Sequence, residues 1–216
     1  MASDVFIELA DYRRRVAQMY AEVRGARDDP QEAWRRYRSQ RENLFRTHSQ
    51  SALDQEQKER FEGLPYFPYN SALRLSVQID TNVDPDVLDI QLQEDGLTRL
   101  QRFGKVNFEL QGQRQQLSLF WVQGYGGGIF LPFRDATASH ETYGGGRYLL
   151  DSIKGADLGL EGGRLVLDFN FAYNPSCAYN PRWHCPLAPR ENWLAVALRA
   201  GELRYPDMAF SKFLDK

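Results

Sequence analysis

Apolar positions in residues 3–62 recur at helical spacing. Val5, Leu9, Tyr12, Val16, Met19 and Val23 alternate intervals of four and three, which sets them on one stripe of a helix. Ser3 is the expected N-cap of that helix and Gly25 its end. A second start signal follows. Asp29 can cap, Pro30 suits the first helical position and Glu32 can close a capping box. Trp34, Tyr37, Arg41 and Leu44 then share a face, and a third, shorter helix is expected from about Ala52 to Phe61, stopping at Gly63.

The period changes after residue 62. Leu64-Pro65-Tyr66-Phe67-Pro68-Tyr69 cannot continue a helix, because each proline removes a donor and restricts its predecessor. Its aromatics point to an extended connector packed on the body. From residue 73 to 204 short apolar runs alternate with turn signals. They include Leu73 to Ile79, Val87 to Leu92, Val106 to Leu110, Leu117 to Val122, Ile129 to Leu131, Tyr148 to Leu150, Leu165 to Leu167 and Leu194 to Leu198. Gln113-Arg114 is the expected turn between the third and fourth runs, and Gly124 to Gly128 a flexible turn into the fifth. Strands with no helices between them pair antiparallel. The expected fold is α+β: an N-terminal helical segment, residues 1–62, packed on a β-rich body, residues 63–216, in one compact domain. The body is expected to be an antiparallel β-sandwich or partly open β-barrel of about eight strands.

Composition narrows the function classes. A chain of 216 residues can bury roughly 70% of its unfolded surface, so it needs no disulfide or metal to fold. Net charge is −2, with no whole-chain bias toward nucleic acid or anionic lipid. Arginines crowd the helical segment, but Glu22, Asp28, Asp29, Glu32 and Glu42 lie among them, which describes a solvated face and not a nucleic-acid footprint. No apolar run approaches a membrane span, and none follows Met1 as a secretory leader would require. The expected compartment is the cytoplasm, where two cysteines stay thiols.

Three motif readings fail on their spacing. Asp80 to Gln91 opens like a calcium loop but has Pro85 where a glycine should turn and Gln91 where a bidentate glutamate should sit. The glycines at 124–128 and 144–146 lack dinucleotide or phosphate-loop spacing and suit hairpin turns. Cys177, His184 and Cys185 offer three zinc ligands where a structural site wants four, two of them adjacent in sequence, so no metal is expected. The same cysteines could bridge in an oxidising compartment, and Cys177 with His184 or His140 could form a thiol nucleophile pair.

Two stretches carry side chains that a plain β-body does not need. The first runs from Leu131 to Tyr148, and the second, DFNFAYNPSCAYNPRWHCPLAPREN, from Asp168 to Asn192. Together they supply Arg134, Arg147, Asp135, Glu141, Asp168, Asn170, Asn174, Asn192, Tyr143, Tyr173 and Tyr179. Arginine beside carboxylates can form bidentate pairs, and Asn and Asp can tie a long loop through backbone bonds. Such a network is either scaffolding that satisfies the loop's own backbone or the lining of a pocket.

These same stretches, with Phe61 to Pro68 and Ala200-Gly201-Glu202, resemble the motifs of an uncharacterised bacterial and archaeal domain-of-unknown-function family. The likeness covers most of the chain after about residue 34. It departs at Ala188, where proline is expected, and at Ala138-Ser139-His140, which replaces a more glycine-like turn. It implies that Arg134, Asp135, Thr142, Tyr143, Gly146, Arg147, Asp168, Asn170, Tyr173, Asn174, Cys177, Tyr179, Cys185, Pro186, Glu191 and Asn192 form the family's motif, and it supplies no reaction and no cofactor.

The functional expectation is a small polar or anionic ligand held between segments 131–148 and 168–192. Arg134, Asp135, Tyr143, Arg147, Asn170, Tyr173, Asn174, Glu191 and Asn192 would bind it, and Asp168, Glu141 or Cys177 would act in any catalysis. The alternative is a non-catalytic interaction module, a possible homodimer, docking through a stripe of Tyr12, Met19 and Tyr20 on its N-terminal helices.

Overall fold

Residues 2–92 and 96–206 are described by a computed structural model of the chain. Three helices come first: α1 (Ala2–Gly25), α2 (Pro30–Thr47) and α3 (Gln55–Glu59). Because α1 already begins at Ala2, Ser3 lies inside it, and the Ser3 side chain is outside the described residues. Asp29 caps α2 by accepting from Glu32 N at 3.0 Å. Only half of the expected capping box forms, since Glu32 turns its carboxylate to Arg35 and Arg36. The apolar face of α2 is as expected, with Trp34, Tyr37, Arg41 and Leu44 all buried. Helix α3 is shorter than its pattern suggested. Asp54 caps it in a full box with Gln57, and the Ser51, Ala52 and Leu53 carbonyls accept from Arg182 and Trp183 instead of continuing a helix.

Nine strands are described: β1 (Arg74–Val77), β2 (Ile79–Asp80), β3 (Val87–Leu92), β4 (Gly96–Leu110), β5 (Gln113–Val122), β6 (Gly128–Phe133), β7 (Arg147–Asp151), β8 (Leu160–Glu161) and β9 (Arg164–Asp168). All pairings are antiparallel. One sheet has the order β1-β9-β8; the other runs β2-β4-β5-β6-β7, with β3 beside β4. Neither closes on itself, so the architecture is α+β with sandwich-like packing and no closed barrel. The β4–β5 hairpin turns at Gln111 and Gly112, two residues earlier than expected, because both take positive φ (53° and 73°) as a tight turn of this hand requires.

Three layers result. Val77, Leu165 and Leu167 of the small sheet meet Val106, Leu117, Leu119, Leu131, Phe133 and Leu149 of the large one. Val166, the residue between Leu165 and Leu167, points the other way and joins Val16, Met19, Tyr20, Trp34 and Tyr37 of the helices. An unbroken apolar triplet is what a strand covered on both faces demands.

The expected strand Leu194 to Leu198 does not form. The chain there makes a single bridge, Arg134↔Trp193, closed by Arg134 N to Asn192 O and Leu194 N to Arg134 O, with one further backbone bond from Ala136 N to Val196 O. Side chains then replace the ladder. Asp135 Oδ2 accepts from Leu198 N at 2.5 Å, and the Arg147 guanidinium donates to the carbonyls of Leu198, Ala200 and Glu202. Arg147 is 1% exposed, lies 3.4 Å from Asp135 and sits over the Phe133 ring. Arg147→Met should therefore strand three carbonyls and one buried carboxylate and cost about 3–5 kcal/mol, read as a lower urea midpoint at unchanged slope.

Asp168 closes β9. Its Oδ1 accepts from Asn170 N at 3.0 Å and Asn170 Nδ2 at 2.7 Å, while Oδ2 has no hydrogen-bond partner among the described residues and lies 3.8 Å from Arg74 Nε. Burial raises its pKa to about 6, against the Asn170 bonds and Arg74. A raised carboxylate favours the protonated folded state. Its contribution is complete below the ordinary carboxylate range and is lost as pH rises through about 6. The stability of the wild type relative to Asp168→Asn should fall between about pH 4 and about pH 6 and then level off, measured by urea denaturation across that range.

Candidate functional site

A cavity of about 320 Å³ opens between α1, α2, the end of β7 and the loop at residues 173–185. Helix α1 supplies Leu9, Tyr12, Arg13, Val16 and Tyr20, and α2 supplies Arg41 and Phe45. Tyr148, Asp151, Lys154 and Ala156 form the floor, and Tyr173, Asn174, Tyr179, Trp183, His184 and Cys185 the far wall. Its volume is at the small end of ligand pockets, roughly 300–1,000 Å³.

The wall is fixed by one buried carboxylate. Glu202, 1% exposed, accepts from Arg41 Nε at 2.6 Å, Tyr66 Oη at 3.0 Å, Asn174 N at 2.7 Å and the Tyr179 hydroxyl. Burial opposes the charge on Arg41, but Glu202 outweighs it and holds the guanidinium above its ordinary pKa. Burial and then Glu202 raise Tyr179, so its phenol stays a donor. The loop's outer turn is tied to α3: Gln57 Nε2 donates to Tyr179 O at 2.7 Å, and Asn180 Nδ2 donates to Asp54 at 2.9 Å. Its inner end joins β7 through paired backbone bonds between Tyr148 and Tyr173 at 2.8 and 3.0 Å.

Charges around the cavity do not cancel. Arg41 pairs with Glu202 and Lys154 with Asp151 at 3.4 Å. Arg13 is exposed and makes no ion pair among the described residues, so the rim carries one uncompensated cation. Asn174 is 2% exposed; its Nδ2 donates to Leu203 O at 2.8 Å, while Oδ1 has no partner among the described residues.

Of the residues expected to bind ligand, Tyr173 and Asn174 line this cavity. The others lie elsewhere. Arg147 and Asp135 hold the C-terminal stretch, as described above. Arg134 donates to Gly144 O at 2.9 Å and stacks on Trp193 at 4.3 Å. Asn192, fully buried, stitches β5 to β6 by bonding Ser118 N, Ser118 O and Pro132 O. Glu191 bonds Ser118 and Arg102. Glu141 pairs with Arg199 at 2.8 Å on the surface, and that pairing lowers its pKa. Asp168 and Asn170 tie the end of β9 to the connector, where Asn170 Oδ1 accepts from Asn70 N at 2.8 Å. Arg134, Arg147, Asp168 and Asn170 thus line no common cavity; each satisfies buried backbone.

Tyr143 and Cys177 stand just behind the wall, their Oη and Sγ 3.6 Å apart. Cys177 and Cys185 are neighbouring free thiols. Cys185 Sγ accepts the Cys177 N–H at 3.4 Å. The Cys177 bond, with Lys154 nearby, lowers Cys185 against burial; Cys177 is correspondingly raised by its bond to Cys185 and by burial. Burial also lifts the Tyr143 phenol. No cluster of three or more His, Cys, Asp or Glu side chains able to hold a metal occurs among the described residues.

Arg41, Glu202, Arg13 and Lys154 were not singled out from sequence as site residues. A signal existed for Arg41: a lone charge on the apolar face of α2, between Tyr37 and Leu44, calls for a buried counter-charge. Glu202 lay in the Ala200-Gly201-Glu202 triplet of the family likeness.

Among the described residues no helix is long and apolar enough to cross a membrane. No curated protein matches the chain. The solution NMR structure of an uncharacterised protein of Haloarcula marismortui is similar to it, with 31% identity and a TM-score of 0.59, covering 82% of this chain and 95% of that one. A family model described as "Protein of unknown function (DUF1684)" matches residues 59–203, from α3 through Glu202 and including the whole cysteine loop. With two-thirds of its length under that model, the chain belongs to the DUF1684 family.

Proposed function

We propose that the protein binds a small organic ligand with an aromatic body and an anionic group in the cavity between α1 and residues 173–185. The lining is the observation that carries this reading. Tyr12, Tyr20, Phe45, Tyr148, Tyr173, Tyr179 and Trp183 offer ring surfaces, and Arg13 a cation with no ion pair among the described residues. Aromatic walls with a few fixed polar groups are how ligand sites gain both affinity and orientation. The ligand sits between residues 1–62 and 63–216, which this reading treats as one compact domain, and Tyr173 and Asn174 are the members of the polar-aromatic loop that touch it. The two thiols suit a reducing, cytoplasmic setting.

The test uses 2-naphthoate as probe, followed by saturation-transfer NMR. Saturable binding is expected in the wild type. Leu9→Trp, which fills the cavity from α1, should abolish it, and Arg13→Ala should weaken it about two- to fivefold, the size of one exposed charge contact. Glu141→Gln, on the remote surface pair, should leave it unchanged. Binding that survives Leu9→Trp would place the ligand elsewhere.

A second reading rests on the first turns of α1. Val5, Phe6 and Ile7 are 48%, 73% and 65% exposed, an apolar run left uncovered among the described residues. The stripe expected to dock is not available, since Met19 and Tyr20 pack inward, but these three residues would serve a homodimer. Light scattering separates the cases: a wild-type mass twice that of the chain, halved by Phe6→Glu with Ile7→Glu, supports docking, and a monomeric wild type removes it.

A further inference from the structure

The cysteine pair is the chemistry that ligand binding alone does not use. Cys185 lines the cavity, while Cys177 stands behind it and is not part of the lining. The Cys177 backbone nitrogen lies 3.4 Å from the Cys185 sulfur, so the two cysteines are neighbours. The Cys177 N–H donates to the Cys185 sulfur, and Lys154 lines the same cavity. Cys177 has the Tyr143 hydroxyl at 3.6 Å. The sulfur that faces the cavity is therefore the one that a backbone N–H and a neighbouring lysine favour as thiolate, with the Cys177 side chain beside it. His184 and Asp151 also line the cavity, and Tyr148, whose hydroxyl is committed to Pro186 O at 2.5 Å, completes the surroundings.

We infer that Cys185 and Cys177 form a redox-active dithiol whose substrate is a small aromatic, anionic disulfide bound in the cavity. This rests on the ligand reading above and names its substrate class. Cys185 thiolate attacks one sulfur of the bound disulfide. A Cys185–substrate bond forms as the substrate's own sulfur–sulfur bond breaks, and the first thiolate leaves with that electron pair. The Cys177 thiol gives its proton to the departing thiolate and attacks the Cys185 sulfur. The protein disulfide forms and the second substrate thiolate is released. Two electrons pass from the dithiol to the substrate, one proton moves, and charge is conserved. An attacking sulfur held as thiolate at a cavity wall, with a resolving sulfur beside it, is the arrangement exchange requires. The aromatic walls and Arg13 select the organic part.

Dithiobis-nitrobenzoate, an aromatic dianionic disulfide that releases a coloured thiolate, is the probe. Native protein should release two thiolates per chain, retain no adduct, and lose two hydrogens in mass. Cys177→Ser should release one and keep a stable adduct on Cys185, and Cys185→Ser should react at least about tenfold more slowly. Saturating 2-naphthoate should slow the wild-type reaction. Alkylation of the wild type with iodoacetamide, mapped by peptide mass spectrometry, needs no variant and should label Cys185 before Cys177. Two retained adducts, first labelling at Cys177, or a wild-type rate in Cys185→Ser would overturn the dithiol. Naphthoate binding with none of this chemistry would defeat the dithiol alone, whereas two thiolates released at a rate indifferent to naphthoate would defeat the cavity as the place where substrate binds.

Discussion

A carboxylate taken out of water has to be ringed by donors, and in this chain that requirement falls on Glu202. Its four partners come from α2, the proline-aromatic connector and the 173–185 loop. Removing any one leaves a buried charge short of a contact, which is far more costly than the contact is worth on an exposed surface. The helices, the loop and the C-terminal stretch therefore keep one mutual arrangement. Gly201 makes the approach possible: at φ +75°, a Cβ there would lie 2.4 Å from Ala172 O, so the backbone beside Glu202 can bond Ala172 only as glycine. The cavity follows from the same constraint. Arg41, Tyr179 and Asn174 turn toward Glu202, and the space they leave beside α1 is not filled by side chains.

What the sequence made legible follows from how local each signal is. The helix face of α2, its Asp29 cap and the antiparallel β-body come from spacing and caps within a few residues. The long strand β4 was visible only in its second half, because Thr98, Arg99 and Gln101 pair at the outer end of the sheet, where burial imposes little pattern. Leu194 to Leu198 shows the converse. Its apolar character suits a strand, yet Asp135 and Arg147, far away in sequence, take the bonds a neighbouring strand would have taken.

The candidate site was only partly legible, for a physical reason. A buried loop that must satisfy its backbone and a pocket that must recognise a ligand use the same residue types: Arg, Asp, Asn and Tyr. Asn192 and Asn174 cannot be told apart by type. Asn192 spends its amide on Ser118 and Pro132, whereas Asn174 keeps an acceptor without an internal partner. Arg147 and Arg41 are both buried with a carboxylate, but the first closes on carbonyls and the second borders open space. Only the three-dimensional count of partners separates scaffold from site.

That count also explains why the two sides of the cavity differ in kind. The loop and Glu202 lie inside the DUF1684 match at residues 59–203, while α1 and α2, which bring Tyr12, Arg13, Arg41 and Phe45, lie before it. The thiol pair, its supporting amide and the carboxylate hub are thus furnished by the family's shared body. The preceding helices add Tyr12, Tyr20, Phe45 and the Arg13 charge to the rings that Tyr148, Tyr173, Tyr179 and Trp183 supply from that body. Of the bonds that hold Glu202, only that of Arg41 originates in those helices, so α1 borders the cavity without holding the Glu202 hub.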